Sequence, residues 1–118
     1  MITTLLVLHA DGRMERLELD PARPFVIGRA LDADYLLDRP GVDRRHVHLA
    51  VHDGGWWLVG GSSTTTGTWL SDRFVTESRR LMDGDVIQIG EVSDVLFRFS
   101  APGVGAPTAP VSPGGPSR

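Results

Sequence analysis

Residues 28–49 read GRALDADYLLDRPGVDRRHVHL. The stretch leaves an apolar run through the pair Gly28-Arg29 and enters another through Asp43-Arg44-Arg45-His46. Two short acidic turns and a Pro-Gly break lie between. Four arginines, Arg29, Arg39, Arg44 and Arg45, fall in or beside these turns, in a chain whose net charge is -3. Positive charge gathered on loops against the global sign points to an anion site carried on a scaffold. Asp43 is the residue at odds with that charge.

Working outward, the flanking segments read as short strands. Ile2 to Leu8 is apolar, Asp11-Gly12 is a turn signal, and Met14 to Leu19 alternates as a returning strand. Phe25-Val26-Ile27 leads into Gly28, and Tyr35-Leu36-Leu37 lies between Asp34 and Asp38. Val47, Leu49 and Val51 alternate with His48, Ala50 and His52, which predicts one buried and one exposed face. Asp53-Gly54-Gly55 turns the chain into Trp56-Trp57-Leu58-Val59. Beyond a polar loop come Thr68-Trp69-Leu70, Phe74-Val75, Arg80-Leu81 and Val86 to Ile89, with Asp83-Gly84-Asp85 read as a hairpin turn. Val95, Phe97 and Phe99 alternate with Leu96, Arg98 and Ser100 in the last strand. No window keeps a helical period. Many short strands punctuated by Gly and Asp turns predict an all-β sandwich without a long helix.

Composition bounds the rest. At 118 residues the chain is one domain by length and buries a core without staples. It has no cysteine, which excludes a disulfide framework and a zinc-thiolate site. No apolar run approaches the length of a membrane span, and the apolar N-terminus meets Asp11 and Arg13 with no basic leader, so a cytoplasmic location is expected. A pI of about 5.7 argues against a general nucleic-acid binder, which needs a basic surface. Five of the eight prolines lie after Ala101. The folded domain is therefore expected over 1–100, with 101–118 a disordered Pro/Gly-rich tail or linker.

Four landmarks occur in a fixed order: Gly28-Arg29; Asp43-Arg44-Arg45-His46; Thr64-Thr65-Thr66-Gly67-Thr68; and Leu81-Met82-Asp83-Gly84-Asp85 running on to Gly90. Together they make residues 1–100 resemble the forkhead-associated (FHA) domain family. The resemblance implies a β-sandwich of two twisted, mainly antiparallel sheets with about eleven short strands, whose loops at one end recognise phosphothreonine peptides in Ser/Thr kinase signalling. It places Arg29 against the phosphate and Arg44 beside it. Thr65 matches the family's threonine, and Thr66 stands where the family has an asparagine that grips the peptide backbone. Asp43 stands where the family has a phosphate-binding serine. Gly28, His46, Gly67 and Gly84 match architectural positions.

The chemistry of these residues can be weighed directly. A guanidinium meets two phosphate oxygens at once and stays charged at any relevant pH, which suits Arg29 to the task. Its alternative is a surface arginine bonded to Asp32 or Asp34. An ionised aspartate at 43 offers acceptors where serine offers a donor. It adds repulsion, pairs with Arg29 or Arg44 inside the pocket, or caps local N–H groups as serine does. Threonine at 66 is shorter and stiffer than asparagine.

Other chemistries find less support. His46, His48 and His52 share a face by parity, but no further ligand stands at a metal spacing. Trp56, Trp57 and Trp69 read as core and sandwich-edge packing, and Asp83-Gly84-Asp85 lacks the oxygens of a calcium loop. There is no nucleophile beside a base and no glycine loop leading a helix, so neither catalysis, a cofactor nor a metal is expected. Two readings stay open. One is a monomeric module that binds a phosphothreonine-containing protein. The other is a phosphate-independent scaffold for an unphosphorylated partner, its pocket filled by Asp43. Neither involves nucleic acid or a membrane span. Ligand selectivity falls to the loops around Gly41 and around Glu91 to Asp94.

Overall fold

The computed structural model describes residues 3–59 and 67–102. Eleven strands form in chain order: β1 (Thr4–His9), β2 (Met14–Glu18), β3 (Phe25–Gly28), β4 (Tyr35–Leu36), β5 (Val47–His52), β6 (Gly55–Val59), β7 (Thr68–Leu70), β8 (Arg73–Phe74), β9 (Arg79–Arg80), β10 (Val86–Ile89) and β11 (Val95–Ser100). They make two sheets, one six-stranded in the order β2-β1-β11-β10-β7-β8 and one five-stranded in the order β4-β3-β5-β6-β9. Every pairing is antiparallel except that of β3 with β4. The fold is the all-β sandwich expected, and no described residue is helical.

Alternation builds the core. In β1 and β11, Leu5 lies opposite Phe99 and Val7 opposite Phe97, and all four side chains are fully buried. In the facing sheet Ile27 pairs with Val47 and Leu49 with Leu58, again with all four buried. The Tyr35 ring, from β4, meets Phe97 edge-on with ring centroids 5.3 Å apart, joining the two layers. Burying each such aliphatic or aromatic side chain is worth roughly 1.5–3 kcal/mol, so these rows dominate the stability.

Three sequence expectations change. Val51 was expected on the buried face but is 38% exposed, lying opposite Trp56 and two residues ahead of the turn Asp53-Gly54 that closes the hairpin of β5 and β6. That turn has positive φ at both residues, 51° and 76°, as a tight hairpin of the favoured twist requires. Asp83-Gly84-Asp85 is not a hairpin turn: it carries the chain from β9 in one sheet to β10 in the other. Its corner is held by the Gly84 N–H donating to the Phe99 carbonyl (2.8 Å), by Asp85 accepting from the Met82 N–H (2.8 Å), and by Asp83 accepting from the Ala101 N–H (2.9 Å). The last bond continues the packed contacts through Ala101, itself buried. Finally, the parity of His46, His48 and His52 is broken. His46 precedes β5 and is buried, whereas His52 is exposed beside Asp53.

Candidate functional site

The site is assembled by one close approach of backbone to backbone. Where β3 ends, the Arg29 N–H donates to the Asp43 carbonyl (2.9 Å) and the Ala30 N–H to the Arg44 carbonyl (3.0 Å). The His46 N–H donates to the Ile27 carbonyl (3.0 Å), so four consecutive residues run beside the loop ahead of β5. A Cβ on Gly28 would collide with the Arg44 carbonyl oxygen and come within 2.9 Å of the Asp43 oxygen. Only glycine lets the two segments lie this close. The consequence is that Arg29, Asp43 and Arg44, fifteen positions apart in sequence at the extremes, emerge from adjacent backbone.

His46 ties this pair of segments to a third. The ring is 2% exposed; its Nδ1 accepts the Asp43 N–H (3.1 Å) and its Nε2 lies 2.6 Å from the Gly67 carbonyl oxygen. An Nδ1 that accepts leaves the proton on Nε2, which then donates to the carbonyl. Gly67 in turn accepts the Gly90 N–H (2.9 Å), linking the loop to the end of β10. The ring therefore sets the spacing between the arginine loops and Gly67, the residue directly ahead of β7. Thr65 and Thr66 lie outside the described residues.

The four arginines of the opening stretch divide cleanly. Arg39 makes a two-pronged pair with Asp94 (2.7 and 2.9 Å), and Arg45 pairs with Asp32 (3.0 Å). Asp34 is taken by Arg23 (2.7 Å) and by the Val26 N–H (2.8 Å). Both carboxylates weighed as partners for Arg29 are thus engaged elsewhere. Arg29 uses its Nε to donate to the Val42 carbonyl (3.0 Å), which anchors the guanidinium by one edge. Among the described residues no carboxylate pairs with Arg29 or with Arg44, and both are exposed. Of the alternatives open for Asp43, an ion pair with Arg29 or Arg44 is not seen among the described residues; Asp43 is half-buried beside them, its N–H bonded to His46.

Beside Arg29 an open hollow of about 500 Å³ is bounded by Asp38, Arg39, Gly41, Val42 and Asp43. The Arg39–Asp94 pair joins its rim to the loop between β10 and β11, so the two loops expected to govern selectivity are bolted together. The hydrogen bonds from Arg39 hold the Asp94 carboxyl below the usual carboxylate range and raise the guanidinium in return. Sequence reasoning missed Asp38, the Val42 carbonyl and the Arg39–Asp94 link. Partners 55 positions apart leave no local signal.

Among the described residues, then, two exposed arginines rise from adjacent backbone of an eleven-stranded sandwich with no carboxylate paired to either. The FHA domain profile matches residues 25–90, and the chain belongs to the FHA domain family. It is accordingly an interaction module and not an enzyme. The FHA domain-containing protein FhaA of Mycobacterium tuberculosis is 38% identical over 74 residues, covering 63% of this chain and 14% of that protein. A structure from a study of phosphothreonine-dependent FHA domain interactions superposes with a TM-score of 0.68 at 28% identity, covering 86% of this chain and 97% of that one. The N-terminal FHA domain of Rad53p from S. cerevisiae, in complex with a phosphothreonine peptide, superposes with a TM-score of 0.67 at 22% identity, over 82% and 92% of the two chains.

Proposed function

We propose that this domain binds phosphothreonine-containing segments of a protein partner in Ser/Thr kinase signalling. In this reading the phosphate is held by Arg29 and Arg44, with Thr65 and Thr66 contributing as the resemblance to the family implies. The observation that carries the proposal is the pair of exposed arginines, Arg29 and Arg44, brought onto adjacent backbone and, among the described residues, left without a carboxylate while Arg39 and Arg45 are neutralised. Arg29 is also oriented in advance by its bond to the Val42 carbonyl, so less side-chain freedom is lost on binding. The relatives named above supply the class of ligand. A cytoplasmic, monomeric domain over 1–100 belongs to the same proposal and rests on the sequence.

Asp43 tunes the affinity downwards. A carboxylate about 5 Å from a phosphate costs roughly 3 kcal/mol at an effective dielectric of about 20, and solvent at a half-buried site reduces that figure. With about 1.4 kcal/mol per tenfold, Asp43→Ser is expected to tighten phosphopeptide binding by at least tenfold. Titration of a fluorescent phosphothreonine peptide pool with the parent, Asp43→Ser and Arg29→Ala tests this. The expected order is Asp43→Ser tightest, parent next, and Arg29→Ala without binding. A parent that binds the phosphorylated pool well and is weakened by Asp43→Ser overturns the role given to Asp43. The rival reading, an unphosphorylated partner with Asp43 filling the pocket, is favoured by the acid at this position and predicts that Arg29→Ala changes nothing.

A further inference from the structure

The outer face of the six-stranded sheet carries a row of side chains that the phosphate site leaves unused. Pairing sets Met14 opposite Leu8, Leu8 opposite Leu96, Gln88 opposite Trp69 and Trp69 opposite Phe74. One line thus crosses all six strands, and only Gln88 in it is polar. Their chain neighbours Val7, Phe97, Ile87 and Leu70 face the core, whereas Trp69 is 37% and Phe74 47% exposed. The two rings meet edge-on at 5.2 Å, and Phe74 lies against Gly67, where a Cβ would collide with it. An open hollow of about 300 Å³ is bounded by Trp69, Asp72, Val86, Gln88 and Leu96, and a second, sharing Trp69, Asp72 and Gln88, reaches Glu91. Among the described residues the Trp69 indole N–H meets no acceptor, and neither the Asp72 nor the Glu91 carboxylate has a partner.

A match for this row lies in the sequence beyond the described residues. Pro107, Pro110, Pro113 and Pro116 recur every third residue, and Arg118 is the only charge after Arg98. A polyproline II helix has three residues per turn, so this spacing puts all four prolines on one edge and leaves the backbone carbonyls free to accept. Aromatic grooves receive such ridges because the helix is preformed and loses little entropy on docking. At about 3.1 Å per residue, Pro107 to Pro116 measures about 28 Å, against about 24 Å for a row six strands wide. The Met14 end of the row is about 17 Å from Ser100, and the five steps from Pro102 to Pro107 span that when extended. Charge sets the direction, with Arg118 at the end where Asp72 and Glu91 flank Trp69. We infer that residues 107–118 dock as a polyproline II ridge along this row. Trp69 and Phe74 pack against the prolines, the indole N–H donates to a carbonyl of the segment, and Arg118 meets Asp72 and Glu91. The inference goes beyond the phosphate site and does not rest on it.

A tether this short holds the segment at an effective concentration of about 1 mM, so a contact with a Kd of about 0.1 mM keeps it docked roughly nine-tenths of the time. The test follows the Trp indole N–H resonances of the full chain by NMR in the presence of a soluble nitroxide. The parent is compared with a variant carrying Pro107→Ala, Pro110→Ala, Pro113→Ala and Pro116→Ala, and Trp69→Phe identifies the signal. Trp57, whose indole donates to the His52 carbonyl (2.9 Å), is the internal reference. Broadening of the Trp69 signal is expected to be at least about threefold weaker in the parent than in the proline variant, with Trp57 unchanged. Asp72→Asn combined with Glu91→Gln is expected to restore part of the broadening. Equal broadening of Trp69 in the parent and the proline variant overturns the inference. Protection that fades on dilution also overturns it, because the ridge then comes from a second copy. An acid variant as protected as the parent overturns the role given to Arg118.

Discussion

Gly28 and His46 do more to define the site than the side chains that face outward. Adding one methyl group at Gly28 places it against the Arg44 carbonyl, so Gly28→Ala must push the loop ahead of β5 away. That substitution is expected to cost about 2–3 kcal/mol in urea denaturation, the scale of overpacking against fixed backbone, and to lower phosphopeptide affinity with it. His46→Ala removes a buried ring together with its bonds to the Asp43 N–H and the Gly67 carbonyl. A loss of about 2–4 kcal/mol is expected from the cavity and the unmade bonds, read from the same denaturation midpoint. The importance of both residues is legible in the sequence through the ordered landmarks. What each touches is not, because a glycine's necessity depends on which backbone passes over it.

Among the elements, the connections between strands carry the long-range information. The loop between β4 and β5 is joined to the loop between β10 and β11 by Arg39 and Asp94, and that joint is sensitive to acid. The folded Asp94 carboxyl titrates below its ordinary value because Arg39 donates to it, so the folded state binds fewer protons than the unfolded chain in that range. The joint therefore contributes fully above a pH of about 4 and is lost as the pH falls through the lowered value. Glu15 adds a change of the same sign, held down first by its bond from His9. The urea midpoint should accordingly fall between pH 7 and pH 3, and Asp94→Asn should fall less than the parent. An equal fall in the two proteins would show that the joint contributes nothing. The strands themselves were readable from alternation, as in Val95, Phe97 and Phe99. The turn at Asp83-Gly84-Asp85 was not. Its residues suit any tight turn, and only the crossing from β9 to β10 distinguishes a sheet-to-sheet corner from a hairpin.

For the whole molecule, the two sheets share one core, and Arg29 and Arg44 lie on the connections that follow β3 and precede β5. Phe97 lies at the junction, fully buried, opposite Val7 and in edge contact with Tyr35 of the other sheet. Phe97→Ala is expected to lose about 3–5 kcal/mol of stability, the usual cost of emptying an aromatic from a core. Arg29→Ala, on an exposed loop, is expected to change stability little while abolishing binding, which separates scaffold from site. The central claim is that this scaffold presents a phosphate-reading surface, tempered but not closed by Asp43. Its most direct test is a titration of the parent domain with phosphorylated and unphosphorylated versions of one threonine peptide pool. Binding of the phosphorylated pool with at least tenfold weaker binding of its unphosphorylated counterpart is predicted; equal binding of the two would contradict it.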